Sequence, residues 1–160
     1  MPIIISIEGN IGTGKSTALN MIKKFFECNS IKEKKIIFLQ EPVNEWLDIK
    51  DNQQVNILEH FYTDQKKWSF TFQIMAYISR LSLLKKIIKE NPNSIIFTER
   101  SLFTDKNIFA KMLYDEGNIN SIEYQVYLKW FNDFIEEVPI SGIIYFKSEP
   151  STCYERVIKR

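Results

Sequence analysis

One histidine, two cysteines and five glycines are all that this 160-residue chain carries of the residues that build metal clusters, disulfide frameworks and flexible linkers. His60 alone cannot make a zinc cluster, and Cys28 and Cys153 fit no metal-ligand spacing. Reduced, inert thiols in a cytoplasmic setting are the expectation. An excess of one charge sign is also missing: 21 basic residues face 20 acidic ones, for a net charge of +1. That balance supplies no electrostatic footprint for duplex nucleic acid or an anionic membrane. It leaves open a small anion held by a few local groups. No apolar run approaches the roughly 18 residues of a membrane helix; stretches such as Ile3 to Ile5 and Ile95 to Phe97 are of strand length. The first motif begins at Gly9, so no signal or transit peptide is expected ahead of it.

What is present suits a folded core, with 44% hydrophobic and 26% charged residues, and a single domain over residues 1–160 is expected. Strand patterns alternate with helical ones, which points to a parallel α/β sheet. Ile3–Ile7, Lys35–Gln40, Ser94–Thr98 and Gly142–Phe146 are nearly continuous apolar runs, as in strands buried on both faces. Helical stretches are expected over Lys15 to Glu27, about Asp64 to Glu90, Asp105 to Tyr114 and Ser121 to Glu137, with another from Ser151 onward. Asn91-Pro92-Asn93 ends the long helix, and the polar stretch Asp48 to Gln54 reads as a surface loop.

Gly9-Asn10-Ile11-Gly12-Thr13-Gly14-Lys15-Ser16 matches G-x-x-x-x-G-K-[ST] between a strand and a helix, the context that gives the motif meaning. Its glycines allow backbone N–H groups to converge on an anion, and the helix N-terminus adds positive potential. Lys15 would reach terminal phosphates and Ser16 could ligate Mg²⁺. A glycine-rich turn without ligand is the competing interpretation.

Glu41 precedes Pro42, which holds it extended at the carboxyl end of the second strand, the end that also bears the phosphate loop. It is either a general base for phosphoryl transfer to an alcohol or a solvated loop acid. Farther along, Trp68, Phe72, Ala76 and Arg80 recur at a spacing of four, with Gln73 on a neighbouring row. Gln73 and Arg80 fit a core only with partners, because unpaired buried polar groups are costly. The Gln73 amide could donate to and accept from a base edge. Trp68 is open between core and pocket.

Together, Ile7 to Thr17, Glu41-Pro42-Val43-Asn44-Glu45-Trp46, Phe61-Tyr62, Trp68 to Gln73, and Glu99-Arg100-Ser101 running to Asp105 resemble the deoxyribonucleoside kinase family, nearest its deoxycytidine/deoxyguanosine/deoxyadenosine branch. The resemblance implies a P-loop NTPase-type three-layer α/β fold with a parallel sheet of which four strands are present. It implies transfer of the ATP γ-phosphoryl group to a 5′-hydroxyl, with ATP and Mg²⁺ bound. Gly9 to Thr17, including Thr17 itself, would hold phosphate; Arg156 would pack on the adenine and Arg160 would begin the lid. Glu41 and Arg100 would be catalytic, and Glu99 would assist Ser16 with the metal. Trp46, Leu58, Tyr62, Phe72, Gln73, Ala76, Arg80, Arg100, Asp105 and Phe109 would form the acceptor site, with Arg80 paired to Asp105 and Phe72 and Phe109 stacking on the base. For Arg100, an ion pair with Glu99 or Glu41 that only braces the sheet edge stays open.

An aspartate acceptor favours amino-bearing bases, deoxycytidine foremost, over thymine. Family members commonly dimerise through helices of the region from 105 to 137, which implies a homodimer, although core packing explains the same aromatics. The family continues beyond this point with further lid residues, a fifth strand and more helices, so a fragment of a longer kinase is expected. A thymidylate-kinase-like enzyme and a non-catalytic nucleotide-binding module are the alternatives.

Overall fold

The computed structural model describes residues 1–29 and 34–159. Two compact units divide the chain. The first lies within Met1–Glu41, Ile87–Ser101 and Ile140–Arg160 and contains the sheet. Its strands are β1 (Ile3–Gly9), β2 (Ile36–Leu39), β3 (Ile95–Glu99) and β4 (Gly142–Phe146), in the order β2-β3-β1-β4. Every pairing is parallel, and Ile7 lies opposite Glu99 while Leu39 lies opposite Thr98. The carboxyl ends of all four strands therefore share one edge, where α/β sheets take their ligands. This is the expected α/β architecture, a parallel sheet flanked by helices.

Alternation decides what each strand face does. Ile5 and Ile7 of β1, Ile95 and Phe97 of β3, and Ile36 and Phe38 of β2 meet Leu19, Ile22 and Phe26 of α1 (Lys15–Cys28). The other face of β1 is buried as well, through Ile4, Ser6 and Glu8. β4 departs from expectation: Ile143 and Tyr145 are 63% and 68% exposed. Among the described residues β4 pairs with β1 alone, which leaves its other side open here. α8 (Pro150–Ile158) closes the unit. Cys28 is exposed, Cys153 is buried, and both are free thiols.

Two glycines of the loop between β1 and α1 have different reasons to be glycine. Gly14 caps α1 at φ +96° with open space around it, whereas a Cβ at Gly12 (φ +82°) would meet the Cys153 carbonyl oxygen at 2.4 Å. Gly14→Ala should cost about 1–2 kcal/mol of left-handed strain, and Gly12→Ala about 3 kcal/mol or more because backbone must also move. Thermal denaturation of the two variants measures the difference; equal losses would show that α8 does not brace the loop.

The second unit, Pro42–Lys86 with Leu102–Pro139, is helical. It holds α2 (Val43–Asp48), α3 (Ile57–Thr63), most of α4 (Gln65–Glu90), α5 (Leu102–Thr104), a π-helical segment over Asp105–Ala110, α6 (Lys111–Asp115) and α7 (Ser121–Phe134), which tightens into a 3₁₀ turn at Ile135–Glu137. The helix expected from Asp105 thus begins at Leu102 and carries a π segment, a feature common at functional positions. α2 and α3 are too short to show two full turns of periodicity. The signal for α3 is Asn56, whose side chain accepts from the Glu59 N–H at 2.9 Å, a helix-start pattern. Asn120 and Glu123 form a full capping box on α7. Residues 48–54 are exposed, as read, and the Asp51 carboxylate lies 2.8 Å from His60 Nε2. Among the described residues no helix is long and apolar enough to cross a membrane.

Candidate active site

In the first unit the loop after β1 wraps around its own cations. Lys15 is 5% exposed and its Nζ donates to the Asn10 carbonyl at 2.8 Å; the Thr13 hydroxyl donates to the same oxygen at 2.9 Å. Burial, then the positive charge of Arg100, lowers the Lys15 pKa, against the opposing pull of Glu99, Glu41 and Glu8. A desolvated ammonium is a strong point charge for an arriving anion. α1 has no side-chain cap and no acid in its first turn, so its first N–H groups lack a side-chain acceptor. Ile11 and Thr17 are exposed. From α8, Arg156 Nη1 donates to the Gly12 carbonyl at 3.1 Å. Arg160 lies outside the described residues.

The ends of β2 and β3 bring the charged groups together. Arg100 has φ +67°, rare for a side chain of its size, and is held there by its N–H to the Ile7 carbonyl at 3.0 Å and its Nη1 to the Gly9 carbonyl at 3.2 Å. Its Nε sits 3.2 Å from Glu41 Oε1. Glu41 is thus paired with Arg100, one of the ion pairs left open from sequence. Such strain concentrates at functional positions. The Ser16 hydroxyl donates to Glu99 Oε1 at 2.7 Å. That pair, one hydroxyl and one carboxylate, fits Mg²⁺, which takes few protein oxygens and completes its shell with water and phosphate. No group of three His, Cys, Asp or Glu residues among those described could cage a metal.

In the second unit a polar cluster is buried along α4. Arg80 forms an ion pair with Asp105, with side chains 11% and 1% exposed. The Arg80 guanidinium also lies over the Trp46 ring, 5.4 Å from its centroid, and the Trp46 indole N–H donates to the Ser79 hydroxyl at 2.9 Å. Gln73 is 2% exposed, and its Nε2 donates to the Asp105 backbone carbonyl at a long 3.4 Å. Phe72 meets Trp46 edge-on at 5.4 Å and Phe61 face-on at 4.6 Å, while Ala76 is buried with Trp46 and Ile57. Leu58 and Phe109 are half-buried, and Tyr62 is 72% exposed beside Phe61. Trp68 stacks on His60 at 4.5 Å.

Sequence reasoning missed Ser79, Phe61 and Glu8. Glu8 is a buried acid in β1 that accepts from the Ser6 hydroxyl at 2.6 Å. An acid inside an apolar strand was the available signal for Glu8, and for Ser79 it was its place one turn after Ala76 on α4.

A family model described as deoxynucleoside kinase matches residues 5–160. A fowlpox virus (strain NVSL) protein named "Probable deoxycytidine kinase FPV151" is 37% identical over 159 residues, 98% of this chain and 60% of that protein. Human deoxycytidine kinase is 34% identical over 176 residues, 98% of this chain and 65% of its own length. The mitochondrial deoxyguanosine kinase of Xenopus laevis is 34% identical over 175 residues, with shares of 98% and 63%. The chain therefore spans less than two thirds of the length of these relatives.

Proposed function

The chain belongs to the deoxynucleoside kinase family, and from that premise we propose that it transfers the γ-phosphoryl group of ATP to the 5′-hydroxyl of a deoxynucleoside, deoxycytidine foremost. The observation that carries the reading is the convergence of Glu41, Arg100 and buried Lys15 at one sheet edge: Glu41 Oε1 lies 3.2 Å from Arg100 Nε, and both charges act on Lys15 in the loop after β1. In this reading Glu41 accepts the 5′-hydroxyl proton as oxygen bonds to phosphorus and the bond to the leaving ADP breaks. Arg100 and Lys15 compensate charge on the transferring group, which is where most catalysis of a loose phosphoryl transfer resides. Residues Gly9 to Ser16 position the phosphates through backbone N–H groups, and Arg156 would pack on the adenine. Ser16 and Glu99 would hold Mg²⁺, whose chemistry there is to neutralise phosphate charge. Gln73, Asp105 and Arg80 would read the base, with Trp46, Leu58, Phe72, Ala76 and Phe109 enclosing it and Tyr62 meeting the sugar.

The exposed stripe Ile122, Val126 and Trp130 on α7 supports a homodimer. Two free thiols support a reducing compartment such as the cytoplasm.

A panel of radiolabelled nucleosides and monophosphates with ATP and Mg²⁺ tests the assignment. Deoxycytidine should be the best acceptor and thymidine the poorest. Turnover of monophosphates instead would point to a thymidylate-kinase-like enzyme, and no turnover with ATP still bound would point to a binding module. Lys15→Met should keep the melting temperature of the ligand-free protein within about 3 °C, since it removes a desolvated charge. It should lose the stabilisation by ATP, about 2.7 kcal/mol at a hundredfold excess over Kd. An ATP-induced shift that survives in Lys15→Met would remove the lysine from the phosphate site.

A further inference from the structure

Tyr127 of α7 is fully buried, its ring packed edge-on against Tyr77 at 5.8 Å. Its hydroxyl has no well-aligned hydrogen bond in this structure. The polar groups acting on it are the Asp105 carboxylate, the Gln73 amide, the Tyr77 hydroxyl and Arg80. Phenylalanine would fill the same space without burying an oxygen; Phe131, one turn later and 1% exposed, does so. A buried hydroxyl is disfavoured unless it finds a partner. Burial also pushes the Tyr127 hydroxyl far above its ordinary value, so it remains neutral at physiological pH.

The neighbour able to meet it is the Gln73 amide, whose bond to the Asp105 carbonyl is long at 3.4 Å. We propose that Tyr127 is a positioning residue that fixes the Gln73 amide and thereby sets which base edges are accepted. The amide has two N–H donors and two acceptor lone pairs. The Asp105 carbonyl takes one donor, and the Tyr127 hydroxyl oxygen takes the second N–H, the sense in which Gln73 acts on it. The Oε1 lone pairs are then left to face the base, and an acceptor there suits an exocyclic amino group and not the 4-oxo group of thymine. Without the hydroxyl the amide can turn over and present its N–H groups instead.

The proposal rests on the kinase reading, and the test separates the two. In Tyr127→Phe, KM for deoxycytidine should rise about tenfold and the deoxycytidine preference over thymidine in kcat/KM should fall by a similar factor. KM for ATP should stay within about twofold, and the melting temperature within about 4 °C. Tyr77→Phe is the control: it removes a hydroxyl that donates to the Trp130 carbonyl at 3.3 Å in the same aromatic cluster. It should leave KM and preference unmoved. Equal kinetic shifts in both variants, or none in Tyr127→Phe, would overturn the proposal. Should Tyr127→Phe fail to fold, NMR of the Gln73 side-chain amide in the natural chain decides. A fixed amide with cross-peaks to the Tyr127 ring supports the assignment, and a freely rotating one ends it. A natural chain that phosphorylates no nucleoside removes the kinase reading and this role with it. Turnover by the natural chain with an unaltered Tyr127→Phe removes only the role.

Discussion

Glu41→Gln should lower kcat for nucleoside phosphorylation by about 10²–10⁴, the usual worth of a positioned general base. ATP-induced stabilisation should stay near that of the natural chain. Glutamine keeps the shape of the side chain and can still accept a hydrogen bond from Arg100 Nε, now 3.2 Å away. What it loses is the capacity to take a proton. The structural cost should be small, because the substitution leaves Arg100, itself 8% exposed, a hydrogen-bond acceptor, and Glu41 is 26% exposed. Steady-state kinetics beside a thermal-shift titration with ATP separates the two effects. A variant with unchanged kcat would reduce Glu41 to a brace for Arg100. Loss of ATP binding would move its role to the phosphate loop.

The other large effect is expected at Asp105. Removing a carboxylate that is 1% exposed from beside Arg80, itself 11% exposed, should destabilise the protein by about 3–5 kcal/mol in Asp105→Ala. The reason is that a buried guanidinium loses its counter-charge, a far greater penalty than the net worth of the pair. Arg80→Met combined with Asp105→Ala should recover part of that loss, since apolar replacement of a buried pair is often neutral. It should also shift the base ranking toward thymidine, because the acceptor for an exocyclic amino group has gone. Chemical denaturation of the single and double variants tests the first claim, and the nucleoside panel tests the second. A double variant no more stable than Asp105→Ala would show that the cost lies in the cavity. A double variant with the natural ranking would place base selection elsewhere, with Gln73 as the first candidate.

The parallel sheet and the glycine-rich loop after β1 were legible because both rest on short-range rules. Runs such as Ile3-Ile4-Ile5 mark a strand by composition, and glycines at 9, 12 and 14 mark a loop that needs positive φ; the structure has φ of +147°, +82° and +96° there. Glu41 lies just past the end of β2, as the proline after it led one to expect. The exposure of β4 was not legible, because an apolar run reads alike in a central strand and at an edge. Nor were α2 and α3, whose six and seven residues fall short of two full turns.

From the amino-acid order alone came element types, the glycine-rich loop between β1 and α1 and the family, each decided within a few neighbouring residues or by motif order. Tertiary structure alone decided that Arg100 takes a left-handed backbone between the Ile7 and Gly9 carbonyls, that Gly12 must yield to Cys153, and that Tyr127 shares a buried cluster with Gln73 and Asp105. These contacts join residues from 22 to more than 100 positions apart. Which distant side chain fills a given space depends on how helices and strands pack, and no local periodicity carries that choice.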